Sequence, residues 1–148
     1  MTQTLPPDTL APEITASAPA APALHPLVQR LIDANGYAYV EALNAAPATP
    51  RDLLLFLPAY GKAHLETPDI AVVLPELVKA LDAGRGTLSG AVAAPATEAA
   101  LRQSLQLALP AIVVLRDGVA VGSIARMRDW DEYLARLGAL LAAPAASH

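Results

Sequence analysis

The chain reads as an α/β domain, a central mixed β-sheet flanked by helices, and three stretches carry that reading. Leu53-Leu54-Leu55-Phe56-Leu57 is an unbroken apolar run of strand length, the pattern of a strand buried on both faces. Ile70, Val73, Leu74, Leu77, Val78 and Leu81 fall at helical spacing and draw one apolar stripe. Ala111-Ile112-Val113-Val114-Leu115 and Val119-Ala120-Val121 flank Asp117-Gly118. Asp-Gly between two apolar runs signals a hairpin, because a type I′ turn needs positive φ at both central residues. Alternating strands and helices followed by a hairpin and a last helix predict a parallel core with an antiparallel edge.

In order along the chain, residues 1–23 are rich in Pro, Ala and Thr without periodicity, which predicts a disordered tail; 143–148 are read the same way. The folded domain is expected over 24–142. Pro26 suits a first helical turn, Leu27, Val28, Leu31 and Ile32 form a stripe, and Asn35-Gly36 stops it. Tyr37 to Val40 makes a first strand, Asn44 to Arg51 a loop, and the run after Asp52 a second strand. Pro58 to Leu65 is a loop carrying His64, which has no second His or nucleophile beside it and reads as an exposed loop residue rather than a ligand or base.

The helix over 67–81 has Thr67 as expected N-cap, Pro68 at a first-turn position and Asp69 matching the positive helix start. Pro75 inside it removes the bond to the Ala71 carbonyl and predicts a kink. Gly84 to Gly86 break the helix, Thr87 to Ala93 is a strand, and Pro95 or Thr97 opens a third helix with Leu101 and Leu105 inward. After the hairpin, Asp129 is the expected N-cap of a helix with Glu132 as its capping-box partner. Trp130, Tyr133, Leu134, Leu137 and Leu141 make its core stripe.

Composition removes whole classes of function. The 148 residues carry a net charge of −4 with no basic run, which argues against nucleic acid as a partner. No apolar stretch approaches the roughly 18 residues of a spanning helix, so no membrane insertion is expected. The Ala-rich start lacks a basic leader, which predicts a cytoplasmic protein. There is no cysteine, so disulfides, thiolate nucleophiles and cysteine metal sites are all excluded. Nor is there a Ser/His/Asp constellation, P-loop or metal-ligand spacing; no catalytic residue and no cofactor are expected.

What is left is acidic. Glu66, Asp69 and Glu76 lie on and just before the 67–81 helix, with Asp69 and Glu76 two turns apart on one face. A solvated polar face with a charge suited to the helix start accounts for all three. A surface that pairs with basic groups accounts for them equally well.

The stretch from Leu109 onward, Pro then strand, Gly turn, strand and helix, resembles the C-terminal half of thioredoxin, and the element order is similar to that fold throughout. The resemblance implies a cis Leu109–Pro110 bond. Registering Pro75 on the family's helix proline implies that Thr67-Pro68-Asp69-Ile70 stands where Cys-x-x-Cys would, the dithiol being lost. Without a thiol, disulfide exchange is impossible.

A narrower resemblance covers about residues 25–142. Glu66-x-x-Asp69-Ile70-Ala71-Val72-Val73-Leu74-Pro75-Glu76-Leu77, then Glu98, Leu109-Pro110, Gly118, Gly122 and Asp129-Trp130-x-Glu132-Tyr133 resemble the hydrogenase expression proteins of the HyaE, HupG and HoxO types. These are thioredoxin-like proteins without the dithiol that accompany maturation of membrane-bound uptake NiFe hydrogenases. The resemblance implies a non-enzymatic accessory protein. It would bind the hydrogenase small-subunit precursor and its twin-arginine (Tat) signal peptide before export, in some members with a second accessory protein. An alternative is a scaffold that holds another accessory protein and never touches the signal peptide. On the first reading Glu66, Asp69 and Glu76 meet the basic residues of the peptide, and the backbone at Leu109 and Pro110 pairs with the rest by strand addition.

Overall fold

The computed structural model of the chain describes residues 24–47, 51–60 and 65–142. The expected tails and His64 lie outside these residues. Helix α1 (Pro26–Asp33) leads into β1 (Ala38–Val40), a short 3-10 turn (Leu43–Ala45), β2 (Asp52–Leu57), α2 (Glu66–Asp82), β3 (Leu88–Ala93), α3 (Pro95–Leu105), β4 (Ala111–Arg116), β5 (Val119–Ala125) and α4 (Trp130–Ala142). The five strands form one sheet in the order β1-β3-β2-β4-β5. β3 is parallel to both β1 and β2, whereas β4 runs antiparallel to β2 and β5 antiparallel to β4. The parallel core and antiparallel edge are those the sequence predicts.

The pleat sorts the apolar run of β2 to two faces. Leu54 and Phe56 meet Val28 and Leu31 of α1, Ile70, Leu74 and Leu77 of α2, and Tyr133 and Leu137 of α4. Leu53, Leu55 and Leu57 point the other way, towards Leu101 of α3. All five are essentially inaccessible, each burial stabilising by about 1.5–3 kcal/mol. Gly90 of β3 lies against the Tyr37 ring, which would have to shift to admit a Cβ there. Asp117 and Gly118 have φ of 55° and 80°, the two positive values of the type I′ turn. β5 runs to Ala125, four residues beyond the expected Val121, with a bulge where Val114 and Leu115 face Gly122 and Ala120.

Several local expectations are corrected. α2 starts at Glu66, so Thr67 is not its N-cap; the Thr67 hydroxyl donates instead to the Pro58 carbonyl at 2.8 Å. Helix α2 runs through Pro75, as expected, and ends at Asp82, one residue past Leu81. α3 opens at Pro95 and buries Leu101, but Leu105, its last residue, is exposed. Asp129 does flank α4, its carbonyl accepting the Tyr133 N–H at 2.9 Å, yet Glu132 takes Arg136 at 2.8 Å rather than closing a capping box. Trp130 is 42% exposed, because α4 packs from Tyr133 onward and its first residue stands outside that contact.

Candidate functional site

In an open α/β sheet the usable crevice lies beyond the carboxyl ends of the strands, where successive connections leave in opposite directions. Here that point is the end of β2. The chain leaves it through α2 to β3 on one side, while β3 returns through α3 to β4 on the other. Leu57, the last residue of β2, is paired with Ala111, the first of β4, so the start of α2 and Pro110 are brought to the same end of the sheet. The Leu109–Pro110 bond is cis.

The segment after β2 is held from three elements. Glu98 of α3, 4% exposed, accepts the Ala59 and Tyr60 N–H groups, one on each carboxylate oxygen, both at 2.7 Å. Ala59 has φ 73°, a left-handed conformation that non-glycine residues adopt only when their surroundings impose it. The Tyr60 hydroxyl donates to the Ala93 carbonyl at 2.6 Å, and Thr97 to that of Val40 at 2.9 Å. Burial pushes the Glu98 carboxyl above its ordinary range, opposed by these two N–H groups and by Arg102. Burial, with Tyr39 and Glu98 nearby, raises the Tyr60 phenol well above its usual value.

Across the cis proline, Arg126 ties the end of β5 to the start of α2. Its N–H donates to the Pro110 carbonyl at 2.7 Å, and its carbonyl accepts the Tyr133 hydroxyl at 2.8 Å. Its guanidinium donates through Nε and Nη2 to the two oxygens of Glu66 at 2.9 and 2.8 Å, and the Met127 N–H adds a third bond at 2.8 Å. Glu66 is therefore not the open carboxylate expected from the sequence. As the first residue of α2 it also suits the helix dipole.

Of the positions that the thioredoxin resemblance registers on Cys-x-x-Cys, Thr67 and Ile70 point inward at 6% and 0% exposure, Pro68 is half-buried, and Asp69 is exposed. Asp69 and Glu76 share the outer face of α2 with Val72, about 10.5 Å apart along the axis at 1.5 Å per residue. Lys79 lies 3.9 Å from Glu76, both open to solvent. Leu109 is half-buried, and among the described residues nothing bonds to its N–H or C=O. The structure thus joins Glu66 to Pro110 through Arg126, and sets Asp69 and Glu76 apart on the flank. Away from this end, a cleft of about 200 Å³ between α1 and α2 is lined by Leu27, Leu31, Ala71, Val72 and Pro75, with Arg30 and Asn35.

Among the described residues no three His, Cys, Asp or Glu side chains stand close enough to hold a metal ion. Nor is any of their helices long and apolar enough to cross a membrane. The arrangement offers a braced backbone, the exposed carboxylates of Asp69 and Glu76, and an Arg126–Glu66 ion pair partly open to water.

A family model described as hydrogenase-1 expression protein HyaE matches residues 27–133. The hydrogenase expression/formation protein HupG of Rhodobacter capsulatus is 38% identical over 131 residues, covering 86% of this chain and 93% of that protein. HoxO of Azotobacter vinelandii, also described as a hydrogenase expression/formation protein, is 37% identical over 122 residues, covering 80% of each. Among solved structures, a thioredoxin mutant from Halobacterium salinarum NRC-1 aligns with a TM-score of 0.51 at 17% identity, over 70% of this chain and 88% of that one. That likeness is one of fold.

Proposed function

The chain belongs to the HyaE family of hydrogenase expression proteins, with a role in hydrogenase maturation and a thioredoxin-like fold, and from that premise we propose that it is a non-enzymatic, cytoplasmic chaperone of the hydrogenase small-subunit precursor. It captures the precursor through its twin-arginine signal peptide before export. The observation that carries the reading is the main chain of Leu109, to which nothing among the described residues bonds, beside the cis proline on the end of the sheet where α2 begins. A peptide laid against Leu109 takes main-chain bonds from it at the end of the sheet. Neighbouring residues of an extended peptide point to opposite sides, so one of two adjacent arginines faces α2. Asp69 and Glu76 on the outer face of α2 supply exposed partners for charge-assisted bonds.

The test is the double charge reversal Asp69→Lys with Glu76→Lys. It is expected to abolish capture of the precursor in a pull-down while leaving the circular dichroism spectrum intact. A precursor stripped of its signal peptide should be captured no better than background. Full capture of the stripped precursor would sink signal-peptide recognition.

A further inference from the structure

Glu66 is already gripped by an arginine, and the grip has two separable parts. The Arg126 main chain is pinned at both its N–H and its C=O, to Pro110 and Tyr133. Its guanidinium is held by Glu66, with 41% of the arginine side chain and 30% of the glutamate side chain exposed. The side chain can therefore swing into water while the backbone that braces the cis proline stays put. Ion pairs this open are weak individually, since water and salt compete for both partners. The Met127 N–H on the same carboxylate keeps Glu66 oriented when the guanidinium leaves.

We propose that Arg126 is an intramolecular competitor at the peptide site: an arginine of the bound peptide displaces it from Glu66 and takes over the same two-point contact. This rests on the reading of the site as an arginine-peptide site. An incoming guanidinium restores both bonds that Arg126 gives up, so the exchange is close to neutral and the remaining contacts decide binding. An incoming lysine, a compact charge without the planar fork, cannot restore both. The resident arginine thus weakens every basic peptide that takes Glu66 by the same amount, and the two-point fork gives arginine its preference over lysine.

The probe is a synthetic peptide with two adjacent arginines followed by an apolar stretch, and its twin with lysines, titrated by fluorescence anisotropy at low and physiological salt. Arg126→Gln should bind the arginine peptide about two- to fivefold tighter, the worth of an exposed pair no longer displaced. Its affinity should also fall more steeply with salt, because binding now creates an ion pair instead of exchanging one. The arginine and lysine peptides should gain by the same factor, because the displaced pair is subtracted from both. The tightening and the steeper salt dependence should vanish in Glu66→Gln with Arg126→Gln. Arg126→Lys, which keeps the charge and loses the fork, serves as the milder variant if Arg126→Gln does not fold, and should show part of the gain. Equal or weaker binding by folded Arg126→Gln or Arg126→Lys, with the wild-type salt slope, overturns the competitor while leaving the site reading in place. No binding of either peptide by wild type overturns both.

Discussion

An arginine–carboxylate pair stands at each end of the sheet, Arg116–Asp52 at one and Arg126–Glu66 at the other, and the two are chemically alike but physically opposed. Arg116, the last residue of β4, donates to Asp52, its register partner at the start of β2, through Nε and Nη2 at 2.9 and 3.3 Å and reaches the Leu141 carbonyl in the last turn of α4 at 2.7 Å. There the side chains are 5% and 14% exposed. At the Pro110 end, Arg126 and Glu66 make the same fork at 41% and 30%. Low dielectric makes the first pair something the fold depends on once it is built, because losing either partner leaves the other's charge where little water reaches it. Water makes the second something a ligand can exchange. The same two functional groups give an anchor or a contact site according to how much water reaches them.

The largest expected effect tests the dry end. Asp52→Ala deprives Arg116 of its carboxylate inside the fold and should cost about 3 kcal/mol or more in urea unfolding, with the Leu141 carbonyl still bonded. A loss no larger than that of a surface substitution would erase the contrast between the two ends.

Next comes the Glu98 clamp, which belongs to the binding end but is as dry as Arg116. Glu98→Ala strands the buried Ala59 N–H, while the Tyr60 N–H lies nearer water; a cost of roughly 1–3 kcal/mol follows. Its pH signature runs against that of ion-paired carboxylates. Because the folded-state value lies above the ordinary 4.5, the wild type is favoured below that pH and loses this contribution as pH rises through the raised value. Thermal unfolding followed from pH 4 to 7 should therefore show the gap between wild type and Glu98→Ala closing towards neutrality. A widening gap would mean that the two N–H bonds outweigh burial.

The smallest effect is at the wet end. Glu66→Gln should lower the unfolding midpoint less than either change above, and added salt should shrink the difference further. A loss matching that of Asp52→Ala would show the Arg126 pair to be an anchor after all.

Much of the scaffold was legible without coordinates. The apolar run at 53–57, the stripe from Ile70 to Leu81 and the Asp117-Gly118 turn are local patterns whose periodicity or φ requirement belongs to the residues themselves. Local pattern also misled. Trp130 and Leu105 continue their stripes in register, yet sit at the ends of helices whose contact with the sheet begins later or has stopped. Thr67 has the chemistry of a cap, but a carbonyl nine residues back claimed its hydroxyl.

The sequence by itself determined which elements form, that no sulfur chemistry is available, and that the start of α2 is acidic. Tertiary structure alone decided what each charge does. Glu98 meets its partners 38 and 39 residues away, Glu66 and Arg126 are 60 apart, and Asp52 and Arg116 are 64 apart. The energy of such a pair depends on the water left around it, and that is set by the packing of elements distant in sequence.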